Sequence, residues 1–145
     1  MKSVLQSNLK IGYWNIEGLS LSGSCPKVSD QRFIKAVSDH DIFCLAETHC
    51  SADQNIEVNG YKCFKLSRSS NKKNNRCYGG IAVLYKSYIH EGIKFLEHHN
   101  NDYIWLKLNK SFFKTSEDIF MCIAYIPPES SAFYKKRGEN TLNFI

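Results

Sequence analysis

Residues 41–49 read Asp-Ile-Phe-Cys-Leu-Ala-Glu-Thr-His. Residues 42–46 are apolar without alternation, the pattern of a strand covered on both faces rather than one lying on a surface. Such a strand runs through the middle of a sheet and needs a packed layer on either side. Glu47 stands where it stops. A strand end puts a side chain at the rim of a sheet, aimed into the cleft that the loops form and held there rigidly.

Working outward, the chain reads as a series of short apolar strands separated by polar segments. Residues 9–15 (LKIGYWN) form the first, ended by Glu17-Gly18, and residues 20–27 are a Ser/Gly/Pro loop. Ser29 or Asp30 then caps a helix whose buried face carries Phe33, Ile34 and Val37. Residues 61–66 and 80–85 are the next strands, followed by 102–108, which sets Ile104, Leu106 and Leu108 against Tyr103, Trp105 and Lys107. Residues 118–124 form the last. Pro127 and Pro128 must end it, because neither can donate to a ladder. Six or seven strands, one good helix and a second helix starting near Asn140 exclude a helix bundle. With so few helices and no G-x-G-x-x-G, a dinucleotide-binding βαβ repeat is excluded too. A layered α+β sandwich fits.

The chain has 145 residues, 43% apolar and 23% charged, enough for one core and too apolar for disorder. Its longest apolar runs fall far short of the roughly 20 residues of a membrane span, and residues 1–10 lack the apolar core of a secretory signal. The expectation is a soluble protein of the nucleus or cytoplasm, not secreted and without a membrane partner. Six cysteines, at 25, 44, 50, 63, 77 and 122, show no C-x-x-C spacing. An even number leaves a disulfide framework open, but a sizeable core and no signal favour free thiols in a reducing compartment. The formal charge of +5 favours an anionic partner without establishing one.

Three polar residues follow apolar strands: Asn15, Glu47 and Tyr125. Glu47 is a hard oxygen ligand of the kind Mg²⁺ takes together with substrate phosphate oxygens. Asn15 is suited to orient that carboxylate or to bond a phosphate oxygen, and Tyr125 to donate to a phosphate or a developing oxyanion. The plainer alternatives are a solvated loop carboxylate, a turn former and a cover for the sheet edge. His49 is placed as a ligand or base, while the His98-His99 pair has no zinc-like spacing. Residues 67–77 (SRSSNKKNNRC) carry Arg68, Lys72, Lys73 and Arg76 and no acid. That segment is either a solvated loop or a phosphate-binding one. No nucleophile elbow, Walker loop or H-E-x-x-H occurs.

Four segments, in order, resemble a known superfamily. Residues 9–19 look like the opening strand of the endonuclease/exonuclease/phosphatase superfamily, whose first motif centres on Asn. Residues 41–49 resemble its buried strand ending in Glu-Thr, residues 79–85 its Gly-Gly strand, and residues 123–128 its Tyr-x-Pro motif. The combination of Glu-Thr-His, a Gly-Gly strand and Tyr-x-Pro-Pro is most similar to the endonuclease domain of non-LTR (LINE-type) retrotransposons. The resemblance implies a four-layered α/β/β/α sandwich of the deoxyribonuclease I-like kind and Mg²⁺- or Mn²⁺-dependent hydrolysis of nucleic acid, DNA favoured, with no small-molecule cofactor beyond the metal. It makes Asn15, Glu47 and Tyr125 the catalytic residues, with Glu47 and Asn15 at the metal. Arg68, Lys72, Lys73 and Arg76 become candidates for nucleic-acid contact, and His49 receives no role.

Two departures stand out. Tyr78 occupies the place where an Arg often precedes the Gly pair. The family's G-D-x-N motif is absent, and no Asp-His pair follows residue 128. Sandwiches of this kind run to about 200–250 residues, so the chain reads as a single incomplete domain, the N-terminal portion of the fold. Three functional readings follow: a weakened phosphodiesterase, a non-catalytic nucleic-acid-binding module, or a translated relic of a mobile element. An incomplete sandwich is also expected to leave Phe and Trp side chains exposed.

Overall fold

The computed structural model describes residues 8–70, 73–97 and 100–131; Lys72, the His98-His99 pair and the helix expected near Asn140 lie outside them. Strands β1 (Ile11–Asn15), β2 (Ile42–Ala46), β3 (Tyr61–Leu66) and β4 (Ile81–Lys86) form a first sheet in the order β1-β2-β4-β3. Strands β5 (Ile93–Phe95), β6 (Tyr103–Leu108) and β7 (Ile119–Ala124) form a second, in the order β5-β6-β7. Helix α1 (Gln31–Ser38) connects β1 to β2, which pair in parallel with Asn15 beside Ala46. A short helix, α2 (Lys110–Phe113), precedes β7.

The period of two explains the layers. On β2 and β4, Ile42, Cys44, Ile81, Val83 and Tyr85 meet Ile104, Leu106, Leu108 and Ile123 of the second sheet. Their neighbours Phe43, Leu45, Ala82 and Leu84 turn the other way and meet Phe33 and Val37 of α1. The first sheet is thus buried on both faces at β2 and β4, as the unbroken apolar run of residues 42–46 requires. The fold is α+β: a helix layer, a four-stranded sheet and a three-stranded sheet. The outer face of the second sheet carries Phe120, which is 58% exposed, and Trp14 on edge strand β1 is 41% exposed. A fourth layer is not seen among the described residues. Other large aromatics, Phe33 and Phe43, are buried.

Some expectations are corrected. Ile34 is not a core residue of α1 but 37% exposed. An eight-residue helix buries only the narrow stripe formed by Phe33 and Val37 at i and i+4, and Ile34 is turned about 100° from Phe33. Strand β5 was not expected, since three residues are too few to show alternation. All six cysteines are free thiols. Among the described residues, no helix is long and apolar enough to cross a membrane.

Asp30, not Ser29, caps α1: its carboxylate accepts from Arg32 N at 2.8 Å and from the Arg32 side chain. Those bonds hold the Asp30 carboxyl down at about 2. At Asp41, burial pushes the carboxyl up, but Lys10 N–H, the Tyr88 hydroxyl and the Lys86 charge outweigh it and the net shift is downward. A carboxyl with a depressed folded-state pKa stabilises the fold above its unfolded value, and that stability is lost as pH falls through the folded value. Melting temperature is therefore expected to fall steadily from pH 5 to pH 2. Asp30→Asn, which keeps a capping oxygen and removes the titration, should flatten the lower part of that curve. A profile that is the same in both chains would refute the assignment to Asp30.

Candidate active site at the strand ends

Because β1 and β2 are parallel and in register, Asn15 and Glu47 emerge side by side. The backbone continues the pairing beyond the strands, with Ile16 N donating to Ala46 O and Gly18 N to Glu47 O. Glu47 and His49 both take φ near +54°, which breaks the alternation and swings Glu47 toward its neighbours. The segment is pinned from the other side, where Thr48 N and His49 N donate to the carbonyls of Gly80 and Gly79. Gly79 and Gly80 have φ of +70° and +88°, a conformation open to glycine at little cost. Tyr125 comes from the second sheet, as the residue after β7, and its backbone N–H donates to Asp102 O at 2.8 Å.

These three side chains meet. Asn15 Nδ2 donates to Glu47 Oε1 at 3.1 Å, and the Tyr125 hydroxyl faces the same carboxylate closely enough for each to shift the other's pKa. His49 Nε2 lies 3.7 Å from Glu47 Oε2. Burial pushes the Glu47 carboxyl up, but Tyr125 and Asn15, with His49 and Arg68 beyond them, leave it below its usual value. Glu47 is therefore an anion at neutral pH. Burial and the facing Glu47 carboxylate push the Tyr125 phenol up to about 12, so it is a neutral donor there.

Residues 12–135 of the chain match the endonuclease/exonuclease/phosphatase family. The chain belongs to that family. No curated protein matches it. The family hydrolyses phosphoesters and is in general dependent on a divalent metal, so the donor set can be judged against such an ion. Glu47 offers a carboxylate, and a hard cation such as Mg²⁺ needs only one or two of these besides water and substrate oxygens. Among the described residues there is no group of three or more His, Cys, Asp or Glu side chains that could hold a metal. Glu47 fits a hydrated cation that the protein grips at one point.

The Asn15 amide is held at both ends. Its Oδ1 accepts from Glu17 N at 3.2 Å while its Nδ2 faces Glu47, and both contacts fix the same amide orientation. In this arrangement it orients the carboxylate and presents N–H. Tyr13 was missed by the sequence reading. It shares the face of β1 with Asn15, is 55% exposed, and lies near enough for the Glu47 charge to help raise its phenol, behind the effects of burial and Cys44. The i, i+2 spacing from Asn15 was the available signal.

The basic loop is divided. Arg68 is corrected from an exposed loop cation to a buried one, paired with Asp102. Lys73 and Arg76 are exposed. Arg76 lines a groove of about 950 Å³ beside the site, with His49, Tyr78, Asn75 and Gln54, and with Glu17 and Asp53 as acids. Tyr78 lies edge-on to His49, ring centres 5.7 Å apart. The one Asp-His dipeptide, Asp39-His40, sits between α1 and β2, at the opposite end of β2 from Glu47.

Proposed function

We propose that the chain is a nucleic-acid-directed phosphodiesterase domain of the non-LTR retrotransposon type, with DNA as substrate and Mg²⁺ or Mn²⁺ as its ion, and that these 145 residues alone hydrolyse it poorly. The observation that carries the reading is the convergence of Asn15, Glu47 and Tyr125 on one carboxylate from two different sheets. Glu47 would hold the ion, which when bound neutralises phosphate charge as a Lewis acid. Asn15 keeps Glu47 in place by its amide N–H and offers a donor to a phosphate oxygen. Tyr125, protonated across the physiological range, donates to the same region as negative charge develops. The motif order, the net charge, the exposed Lys73 and the Arg76 that lines the groove support nucleic acid over a smaller phosphoester.

Hydrolysis also needs a positioned base for water and a donor for the leaving oxygen, each contributing about 10²–10⁴-fold. The G-D-x-N motif that supplies such groups in the resembled family is absent from the sequence. Purified chain with Mg²⁺ and supercoiled plasmid is therefore expected to nick slowly or not at all, with Glu47→Ala lower still. Robust nicking that vanishes in Glu47→Ala would overturn the weak activity and support the site, and robust nicking that survives Glu47→Ala would overturn the site itself. The groove with Arg76 and the His49–Tyr78 ring pair favours one second reading, a module that binds nucleic acid through phosphates and stacking. Binding without cleavage, weakening steeply with salt and with Arg76→Ala, is its signature.

A further inference from the structure

The candidate site has an unusual dependence. Asn15 and Glu47 hang from the first sheet and Tyr125 from the second, so their meeting depends on how the sheets are locked at this end. Apolar packing between the sheets is non-directional and sets their spacing better than their lateral alignment. A directional contact is present just behind the site. Arg68 lies two residues beyond β3 in the first sheet, and Asp102 immediately precedes β6 in the second. Arg68 Nε donates to Asp102 Oδ1 at 3.0 Å and Arg68 Nη2 donates to the same oxygen. The two side chains are 7% and 1% exposed. Beside them, Asn101 Nδ2 donates to Ser67 O at 3.1 Å, a second bond between the same two segments.

This clasp is joined to Tyr125 in two ways. The carbonyl of Asp102 accepts the backbone N–H of Tyr125, continuing the ladder in which Tyr103 opposes Ala124. The Arg68 guanidinium carbon also lies 5.5 Å from the centre of the Tyr125 ring, within the range at which a cation is attracted to an aromatic face. The guanidinium rests on Gly79 as well: a Cβ there would come within 2.9 Å of Nη1 and 3.0 Å of Cζ. Gly79 in turn accepts the His49 N–H. One planar cation thus touches the Gly-Gly turn that pins residues 47–49 and the ring that reaches over to Glu47.

We propose that Arg68 and Asp102 are positioning residues, a buried ion pair that aligns the two sheets and holds the Tyr125 ring where its hydroxyl meets Glu47. The inference rests on the reading of Glu47 and Tyr125 as one site, but not on cleavage or on a bound metal. A buried ion pair gains little over apolar packing of the same volume, so alignment accounts for a charged pair here better than stability does. Lysine would keep the charge but has no planar face to lie between Gly79 and Tyr125.

The test uses the whole chain labelled with 3-fluorotyrosine and read by fluorine NMR, the Tyr125 line being assigned with Tyr125→Phe. Glu47→Ala removes the acceptor and should move that line. In Arg68→Lys and in Asp102→Asn the Tyr125 line should move, and its response to Glu47→Ala should fall to less than half. The Tyr61 and Tyr88 lines should stay in place: their hydroxyls bond Val37 O and His40 O, and Asp41, at the other end of the first sheet. An unmoved Tyr125 line with its full response to Glu47→Ala overturns the proposal. If either variant fails to fold, the unsubstituted chain decides: a slowly exchanging Arg68 Nε–H with cross-relaxation to the Tyr125 ring supports the pair, and its absence overturns it. A Tyr125 line that ignores Glu47→Ala yet moves in Arg68→Lys supports the pair as the ring's anchor and overturns only the site reading.

Discussion

Arg68→Met is expected to remove about 3–5 kcal/mol of folding stability, the cost of leaving one member of a buried ion pair without its partner. Asp102 would be left with its carboxylate 1% exposed and its strongest donor gone. An exposed pair such as Arg32–Asp30 is expected to matter far less, because solvent screens both charges. The contrast is measurable by urea denaturation of Arg68→Met beside Arg32→Met. A double variant, Arg68→Met with Asp102→Leu, should regain most of the loss, since it replaces the pair by apolar groups and buries no lone charge. A loss below about 1 kcal/mol in Arg68→Met, in the range of exposed pairs, would mean that the pair is solvated in solution. Recovery in the double variant together with a displaced Tyr125 would separate stability from alignment, which is the distinction the positioning role requires.

How much of this was legible from the residues varies with the kind of information each element carries. The run at 42–46 could be read because burial on both faces leaves no alternation, and its neighbours followed from the apolar run at 80–85 and the alternation within 102–108. Helix α1 was legible from its Asp30 cap and from Phe33 and Val37. Ile34 was misplaced because helical spacing alone does not say how wide a stripe the sheet will cover. Strand β5 was hidden by its length. Asn15, Glu47 and Tyr125 were visible because each follows an apolar strand. That they share a carboxylate depends on the stacking of two sheets, which no local pattern encodes. Arg68 is the clearest case of hidden information: in a segment with four cations and no acid it reads as solvent-exposed, and its partner lies 34 residues away at the start of another sheet. Long-range ion pairs leave no periodic signature. The orientation of the Asn15 amide was equally invisible, since it is set by Glu17 N–H and by the carboxylate it faces.

Gly80→Ala is expected to cost the fold markedly more than the same change at Gly60. Gly80 has φ of +88°, and a Cβ there would lie 2.6 Å from Thr48 Oγ1 and 3.4 Å from Leu66 O. Two costs combine: backbone strain at positive φ of roughly 1–3 kcal/mol and overpacking of about 1–3 kcal/mol. Gly60 separates them. It has φ of +81° with nothing within 4 Å of its would-be Cβ, so Gly60→Ala carries the backbone cost alone. Denaturation midpoints should therefore rank the native chain first, Gly60→Ala second and Gly80→Ala last. Adding Thr48→Ala to Gly80→Ala removes the Oγ1 that the new methyl meets. The pair should then lose less than the sum of the two single changes. The functional consequence follows from the same geometry, because Gly80 O accepts the Thr48 N–H and so holds the backbone on which Glu47 turns. A chain in which Gly80→Ala is no more costly than Gly60→Ala would show that Thr48 yields freely, and that the Gly-Gly turn does not fix Glu47.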